Sequence, residues 1–309
     1  MRTLKVATRK SPLALAQTQL VCDELMRLHP ELACELLPII SEGDKKLDQS
    51  LSKIGGKGLF VKELEQALLS GRADFAVHST KDLPYAMPEG LSVPAFLPRG
   101  NPFDAFVSNN HASLMDLPEG AVVGTSSLRR QSLLLRKRPD IRVAFLRGNM
   151  NTRLARLDAG DFDAIILAAA GLQRLGLADR IVQVLSLPDF IPAIAQGVLA
   201  VQCRTGDEFM QQCLLTLNDP ATQACVSAER AVSTRMKADC HWPLAAHAVI
   251  EQGVMRMIAL VADAKGGRMI SVEDSAPESD ALLLGQRVAD ELVAKGAFEL
   301  LASLGVSRE

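Results

Sequence analysis

Residues 122–139 read VVGTSSLRRQSLLLRKRP, and the order of residue types in that stretch decides the fold class. Val122 and Val123 match the end of a buried strand, Gly124 a tight turn, and Thr125, Ser126 or Ser127 the N-cap of a following helix. Arg129 and Arg130 then fall in the first turn of that helix. A helix start already carries partial positive charge and unbonded N–H groups, so two cations there call for an anion. The same strand-turn-helix order repeats outward in both directions. Upstream, LKVAT (4–8) precedes a helix predicted over 12–28, CELLPII (34–40) is a second strand, 59–69 a helix and DFAVHS (74–79) a third strand. Downstream come DAFVS (104–108), RVAFL (142–146), a helix after Asn151 and DAIILAAAG (163–171). This is the βαβ rhythm of parallel sheets covered on both faces, and its repetition predicts two similar, doubly wound α/β domains around a cleft.

After Pro220 the texture changes. One helix to about Arg235, strands at AAHAVI (245–250) and RMIALVAD (256–263), a Lys265-Gly266-Gly267 hairpin turn and a helix over 279–301 predict a small α+β domain. PAIAQGVLAVQCR (192–204) reads as a buried strand that returns the chain to the first sheet. The expected division is 1–98 with 200–217, then 99–199, then 218–309.

Composition narrows the function. The chain has 34 Lys and Arg against 36 Asp and Glu, a formal net charge of -2, so it lacks the overall basic field of a non-specific nucleic-acid binder. The basic charge is local: from Arg129 to Arg156 the only acid is Asp140. Trp242 and Tyr85 are the only large amphipathic rings, which argues against a base-stacking groove. The first residues, MRTLKVATRKS, lead straight into a strand, and no apolar run reaches the length of a membrane span, so a cytoplasmic protein without membrane partners is expected. Six cysteines form no C-x-x-C pair and no cluster at metal spacing, so neither a disulfide framework nor a metal site is expected.

Five stretches carry candidate chemistry. ATRKSPLALAQ (7–17) puts Arg9 and Ser11 at a strand's carboxyl end, where open α/β sheets bind ligands, although alone it is an ordinary strand-helix turn. IGGKGLF (54–60) is a glycine-rich loop with Lys57 and Phe60 that lacks the spacing of a nucleotide-binding loop. VHSTKDLP (77–84) delivers Ser79, Lys81 and Asp82 from a buried strand, so Asp82 is either half of an ion pair or a positioned acid or base. His78 in the same stretch reads as a satisfied core histidine. Arg147, Arg153, Arg156 and Arg174, individually solvated charges, join Arg129 and Arg130 at successive strand ends and suit a ligand with several carboxylate or phosphate groups. Cys240 falls in a loop beside Asp239 and His241, a setting for a reactive thiol rather than an inert one.

Taken in order, these motifs resemble the porphobilinogen deaminase (hydroxymethylbilane synthase) family of tetrapyrrole biosynthesis. The resemblance runs through ATRKSPLALAQ, GGKGLFVKELE, HSTKDLP, GTSSLRRQ, LRGNMNTRL, LAAAGLQRLG, PAIAQGVLAVQCR, AERA and Cys240, nearly the whole chain. It implies the paired domains of type II periplasmic binding proteins plus a C-terminal domain. It also implies a transferase, monomeric and cytoplasmic, that joins four porphobilinogen molecules head to tail, with release of ammonia, onto a dipyrromethane cofactor held by a thioether to Cys240. The resemblance assigns cofactor and substrate binding to Arg9, Ser11, Ser79, Lys81, Thr125, Ser127, Arg129, Arg130, Arg147, Arg153, Arg174 and Gln196, and places Lys57 and Phe60 in an active-site loop. Asp82 is implied at the pyrrole N–H groups, steadying the cation left when ammonia departs. Paired α/β domains also describe solute receptors, and a catalytically altered relative would share the motifs. The chain departs from the family at Ala238, Asp239 and Ala245, positions where glycine is common, and strain is expected there.

Overall fold

Alternation along RTLKVATR makes the first strand, β1 (Arg2–Arg9): Leu4 and Val6 enter one buried cluster and Ala7 the other. The computed structural model describes residues 2–45, 58, 60–238 and 242–303. Lys57, Asp239 and Cys240 lie outside the described residues. Two compact units make up the chain, residues 1–100 with 197–223, and residues 101–196 with 224–309.

In the first unit β1 pairs in parallel with β2 (Leu32–Ile39) and β3 (Phe75–Ser79). The remaining strands, β4 (Leu91–Phe96) and β10 (Leu199–Arg204), complete the order β2-β1-β3-β10-β4. Helix α1 (Pro12–Leu28) begins as its sequence dictates, with Ser11 accepting from Ala14 N and proline in the first turn. Its Val21, Cys22 and Leu25 pack with Val6, Phe75 and Val201. On the other cluster, Leu64 and Leu68 of α2 (Lys62–Leu69) cover Ala7 and Ala76. The sheet is therefore covered on both faces.

It is not wholly parallel, as the βαβ rhythm predicts. Strand β10 lies antiparallel between β3 and β4, with Val201 opposite Val77 and Ala200 opposite Phe96. The sequence reading passed over β4, which contains Pro94 and occupies the edge, where a missing N–H is tolerated.

The second unit contains two sheets. Strands β5 (Asp104–Val107), β6 (Val122–Gly124), β7 (Arg142–Ala144), β8 (Ala164–Ala168) and β9 (Gln183–Leu185) run in the order β7-β6-β8-β5-β9. Strands β7, β6 and β8 are parallel and β5 is antiparallel to β8, so this sheet is mixed too. Leu133 and Leu134 of α3 (Leu128–Lys137) fill one cluster; Leu154 and Leu157 of α4 (Met150–Asp158) and Leu172 of α5 (Ala169–Arg174) fill another. After α6 (Glu208–Leu215) of the first unit, α7 (Pro220–Met236) leads into an antiparallel sheet of β11 (Leu244–Glu251), β12 (Val254–Ala262) and β13 (Met269–Pro277). Strand β13 was not read from the sequence. The terminal helix expected over 279–301 is two, α8 (Ala281–Ala294) and α9 (Ala297–Ala302), broken at left-handed Gly296.

Two departures from the family pattern are accommodated. Ala238 is not left-handed; Lys237 takes that conformation with φ 49°, and Ala238 N donates to Ser233 O. Ala245 is a buried residue of β11 packed among Leu260 and Ile191.

The hairpin before β13 docks on α3. Asp263 accepts from the backbone N–H groups of Lys265, Gly267 and Arg268 at 2.7, 3.1 and 2.6 Å, and Gln131 Nε2 donates to Ala264 O at 2.9 Å. A Cβ on Gly266 would lie 2.4 Å from Ser132 O, whereas Gly71, with the same φ of +70°, has nothing within 4 Å. Gly71→Ala is therefore expected to cost only the left-handed term, about 1–2 kcal/mol. Gly266→Ala should cost about 1–3 kcal/mol more for the clash. Denaturant titration of the two variants checks the difference; equal losses would mean the hairpin yields freely.

Candidate functional site

The carboxyl ends of adjacent parallel strands bring the first group of predicted residues together. In the first unit Arg9 ends β1, Ser11 caps α1, Ser79 ends β3, and Lys81 and Asp82 lie in the 3-10 turn Thr80–Asp82 that follows. The Arg9 guanidinium lies over the Phe60 ring, 4.3 Å from its centroid. Ser79 Oγ donates to Oε1 of buried Gln17 at 3.1 Å. The sequence reading did not single out Gln17, which sits among the apolar residues of α1's buried face.

His78, beneath these residues, is a satisfied core histidine. Its Nε2 lies 2.9 Å from Gln202 Oε1, and Gln202 Nε2 donates to Glu65 Oε1 at 3.3 Å. Burial lowers the His78 pKa to about 4, opposed by the Gln202 hydrogen bond and assisted by the charge of Arg9. A neutral His78 leaves Arg9 without a second cation beneath it. Burial likewise pushes the Glu65 carboxyl up, against the Gln202 hydrogen bond.

In the second unit the carboxyl ends of β7, β6 and β8 form one edge. Ser127 is the N-cap of α3, its Oγ accepting from Arg130 N at 3.4 Å, while Thr125 Oγ1 accepts from Ser127 N at 3.2 Å. Arg147 is buried in the turn after β7, and Arg153 of α4 donates from Nε to Gly148 O at 2.8 Å. Partial burial pulls the Arg174 pKa down to about 10, so it remains a cation at neutral pH.

The anion that Arg129 and Arg130 call for is supplied by the chain itself. Both are buried, and both grip Asp104: Arg129 Nη2 lies 2.8 Å from Oδ2, and Arg130 donates to Oδ1 from Nε at 3.0 Å and Nη2 at 2.8 Å. Their Nη1 groups donate to Ile191 O and Ile166 O at 2.8 and 2.9 Å. Gln196 Nε2 donates to Asp104 Oδ1 at 2.9 Å and to Pro102 O at 2.7 Å. Burial alone would raise the Asp104 pKa; the two guanidiniums and the hydrogen bonds from Gln196 and Arg130 overcome it and hold the carboxyl below the ordinary carboxylate range. Burial depresses the Arg129 pKa, and Asp104 opposes the loss of its charge. Arg138, from the same basic run, is structural: it donates to the carbonyls of Leu114, Met115 and Leu117 and pairs with Asp140.

A family model described as porphobilinogen deaminase, dipyromethane cofactor binding domain, matches residues 4–212, and its C-terminal domain model matches residues 223–294. The chain belongs to the porphobilinogen deaminase family. The first porphobilinogen deaminase model spans the strands β1 to β10 with the residues above, and the second spans α7 to α8. Two curated porphobilinogen deaminases, from Stenotrophomonas maltophilia strains R551-3 and K279a, are each 52% identical over 301 residues, covering 97% of this chain and 99% of theirs. Among solved structures, a nutrient binding protein from Burkholderia cenocepacia bound to methionine aligns with TM-score 0.43 at 15% identity, covering 76% of this chain and 96% of that one. The Bordetella pertussis BvgS periplasmic VFT2 domain aligns with TM-score 0.40 at 18% identity, covering 70% and 86%. Among the described residues no group of three or more His, Cys, Asp or Glu could hold a metal ion, and no helix is long and apolar enough to cross a membrane.

The depressed His78 pKa gives a pH signature. The unfolded chain binds a proton near pH 6.5 and the folded chain only near pH 4, so stability from neutral His78 is present above pH 6.5 and lost as pH falls toward 4. Thermal melts between those limits should lose about 3 kcal/mol of stability from this group. His78→Gln should flatten that part of the profile; an unchanged slope would assign it to other groups.

Proposed function

We propose that this chain is a hydroxymethylbilane synthase. It joins four porphobilinogen molecules head to tail, one ammonia leaving at each step, onto a dipyrromethane primer attached through Cys240, and water releases the linear tetrapyrrole. The observation that carries this reading is the match of residues 4–212 to the cofactor-binding domain model, on a chain 52% identical to curated porphobilinogen deaminases over nearly its whole length.

The residues present fit the cofactor. A dipyrromethane built from two substrate units carries acetate and propionate groups together with pyrrole N–H groups, so it needs several cations and a carboxylate. The first unit offers Arg9, Lys81 and Asp82 at one sheet edge, and the second offers Arg147, Arg153 and Arg174 near another, with Arg147 buried. When bound, the group supplies the free pyrrole carbon to which substrate is joined.

The arginines and Lys81 bind and orient the ligand carboxylates, with Ser11, Ser79, Thr125 and Ser127 as hydroxyl partners. The Arg9 guanidinium stacks over the ring of Phe60, which adds a cation–π contact to the orientation of this cation. Asp82 meets the pyrrole N–H, stabilises positive charge as ammonia leaves, and moves protons at the leaving nitrogen and the pyrrole carbon. Lys57, just before Phe60 in the sequence, adds a further cation for the ligand. The same reading makes the protein a cytoplasmic monomer, in keeping with a diffusible small-molecule substrate.

Intact-mass measurement tests the reading directly. The isolated protein should be heavier than its sequence by two pyrrole units, Cys240→Ala should lack the increment and the activity, and peptide mapping should place the adduct on the Cys240 peptide. An unmodified protein that also fails to release ammonia from porphobilinogen would overturn the proposal. Asp82→Asn should keep its fold and its mass increment while turning over about 100-fold more slowly, the scale of a lost proton-transfer group. Near-normal single-turnover elongation would remove Asp82 from the chemistry.

A further inference from the structure

Three residues expected to face the ligand, Arg129, Arg130 and Gln196, all bond to one acid that the motifs did not single out. Asp104 is 1% exposed, and Arg130, at 6%, is the most exposed member of the cluster. Oδ1 accepts hydrogen bonds from Arg130 and Gln196, and Oδ2 is ion-paired with Arg129 Nη2 at 2.8 Å without a hydrogen bond. The outer sides of the two guanidiniums are fixed by the carbonyls of Ile191 and Ile166, so each fork is held from two directions. Two cations and one anion leave one net positive charge on a buried cluster. Asp104 reaches this edge because β5 is antiparallel to β8, with Asp104 directly opposite Ala168, the last residue of β8.

The geometry points to Asp104 as the positioning residue of the arginine pair: it aligns both forks and sets the charge that a ligand carboxylate meets to one rather than two. This inference rests on the functional reading above, which makes the ligand a polycarboxylate. Asp104 touches neither cofactor nor substrate; it acts through Arg129 and Arg130. Burying two guanidiniums side by side without it would place like charges together in low dielectric, which moves the helix start that carries them.

The test compares Asp104→Asn, which removes the charge, with Asp104→Glu, which keeps it on a longer arm. Both should lower the melting temperature, since both disturb a closed cluster. Their dependence on salt separates charge-setting from simple packing. Asp104→Asn should lower kcat by about 10- to 100-fold through misplaced forks. It should also make porphobilinogen KM rise more steeply with ionic strength than in the wild type, because the cluster now carries two charges that salt screens. Asp104→Glu should keep the wild-type salt dependence whatever its melting temperature. Calorimetric titration of porphobilinogen into the same variants made in Cys240→Ala protein reads the salt dependence without any loaded cofactor. Salt profiles identical among the three proteins, with activity tracking melting temperature alone, would overturn the inference, as would Cys240→Ala protein that does not bind porphobilinogen. Salt-dependent binding in a wild-type chain that releases no ammonia would instead overturn only the functional reading.

Discussion

One carboxylate shared by two buried guanidiniums joins the elements of the mixed sheet in the second unit. Asp104, Arg129 and Arg130 come from the start of β5 and the first turn of α3, and their hydrogen bonds to Ile166 and Ile191 tie in β8 and the segment after β9. Burying an ion pair costs desolvation that is recovered only with good geometry and satisfied hydrogen bonds; Asp104 Oδ1 accepts from Arg130 and Gln196, whereas Oδ2 meets Arg129 Nη2 at 2.8 Å as an ion pair without a hydrogen bond. The cluster is better regarded as a device for placing charge than as a source of stability. A cation at a helix N-terminus is locally unfavourable, and an adjacent buried anion makes it tolerable.

The same helix is gripped from its other side. The hairpin of the third sheet reaches α3 through Gln131 and Ser132, and Leu260 and Ala262 of β12 share a core with Leu133 and Leu134. A helix carrying Arg129 and Arg130 at its start thus has its middle packed against the third sheet. The sheet that grips it is entered from α7 through the segment that contains Cys240.

Much of this was legible in the residues. The hydroxyl run before Leu128 announced a helix cap, and DFAVHS announced a buried strand. Arg9 and Ser79 close the strands read for them, whereas Arg153 and Arg174, expected at strand ends, lie in helices α4 and α5. Asp104 was not legible for a topological reason. Its strand runs against its neighbour, and a βαβ rhythm read as parallel puts the first residue of DAFVS at the opposite end of the sheet from Arg129. Edge strands escaped as well: β4 carries a proline, and β9 is too short for a period to show. Gln17 was hidden because a polar residue on a buried helical face declares itself only through its partner.

The position of β10 in the first sheet bears on how the chain is made. Among the described residues β4 pairs only with β10, and β3 lacks its second neighbour until β10 arrives, about a hundred residues after both have been synthesised. A growing chain therefore exposes two open strand edges while the next α/β sheet is being synthesised, and closure of the first sheet waits on a contact that is distant in sequence. Pro94 in one of those edges becomes a protection against pairing with the wrong chain, a demand set by biosynthesis rather than by catalysis.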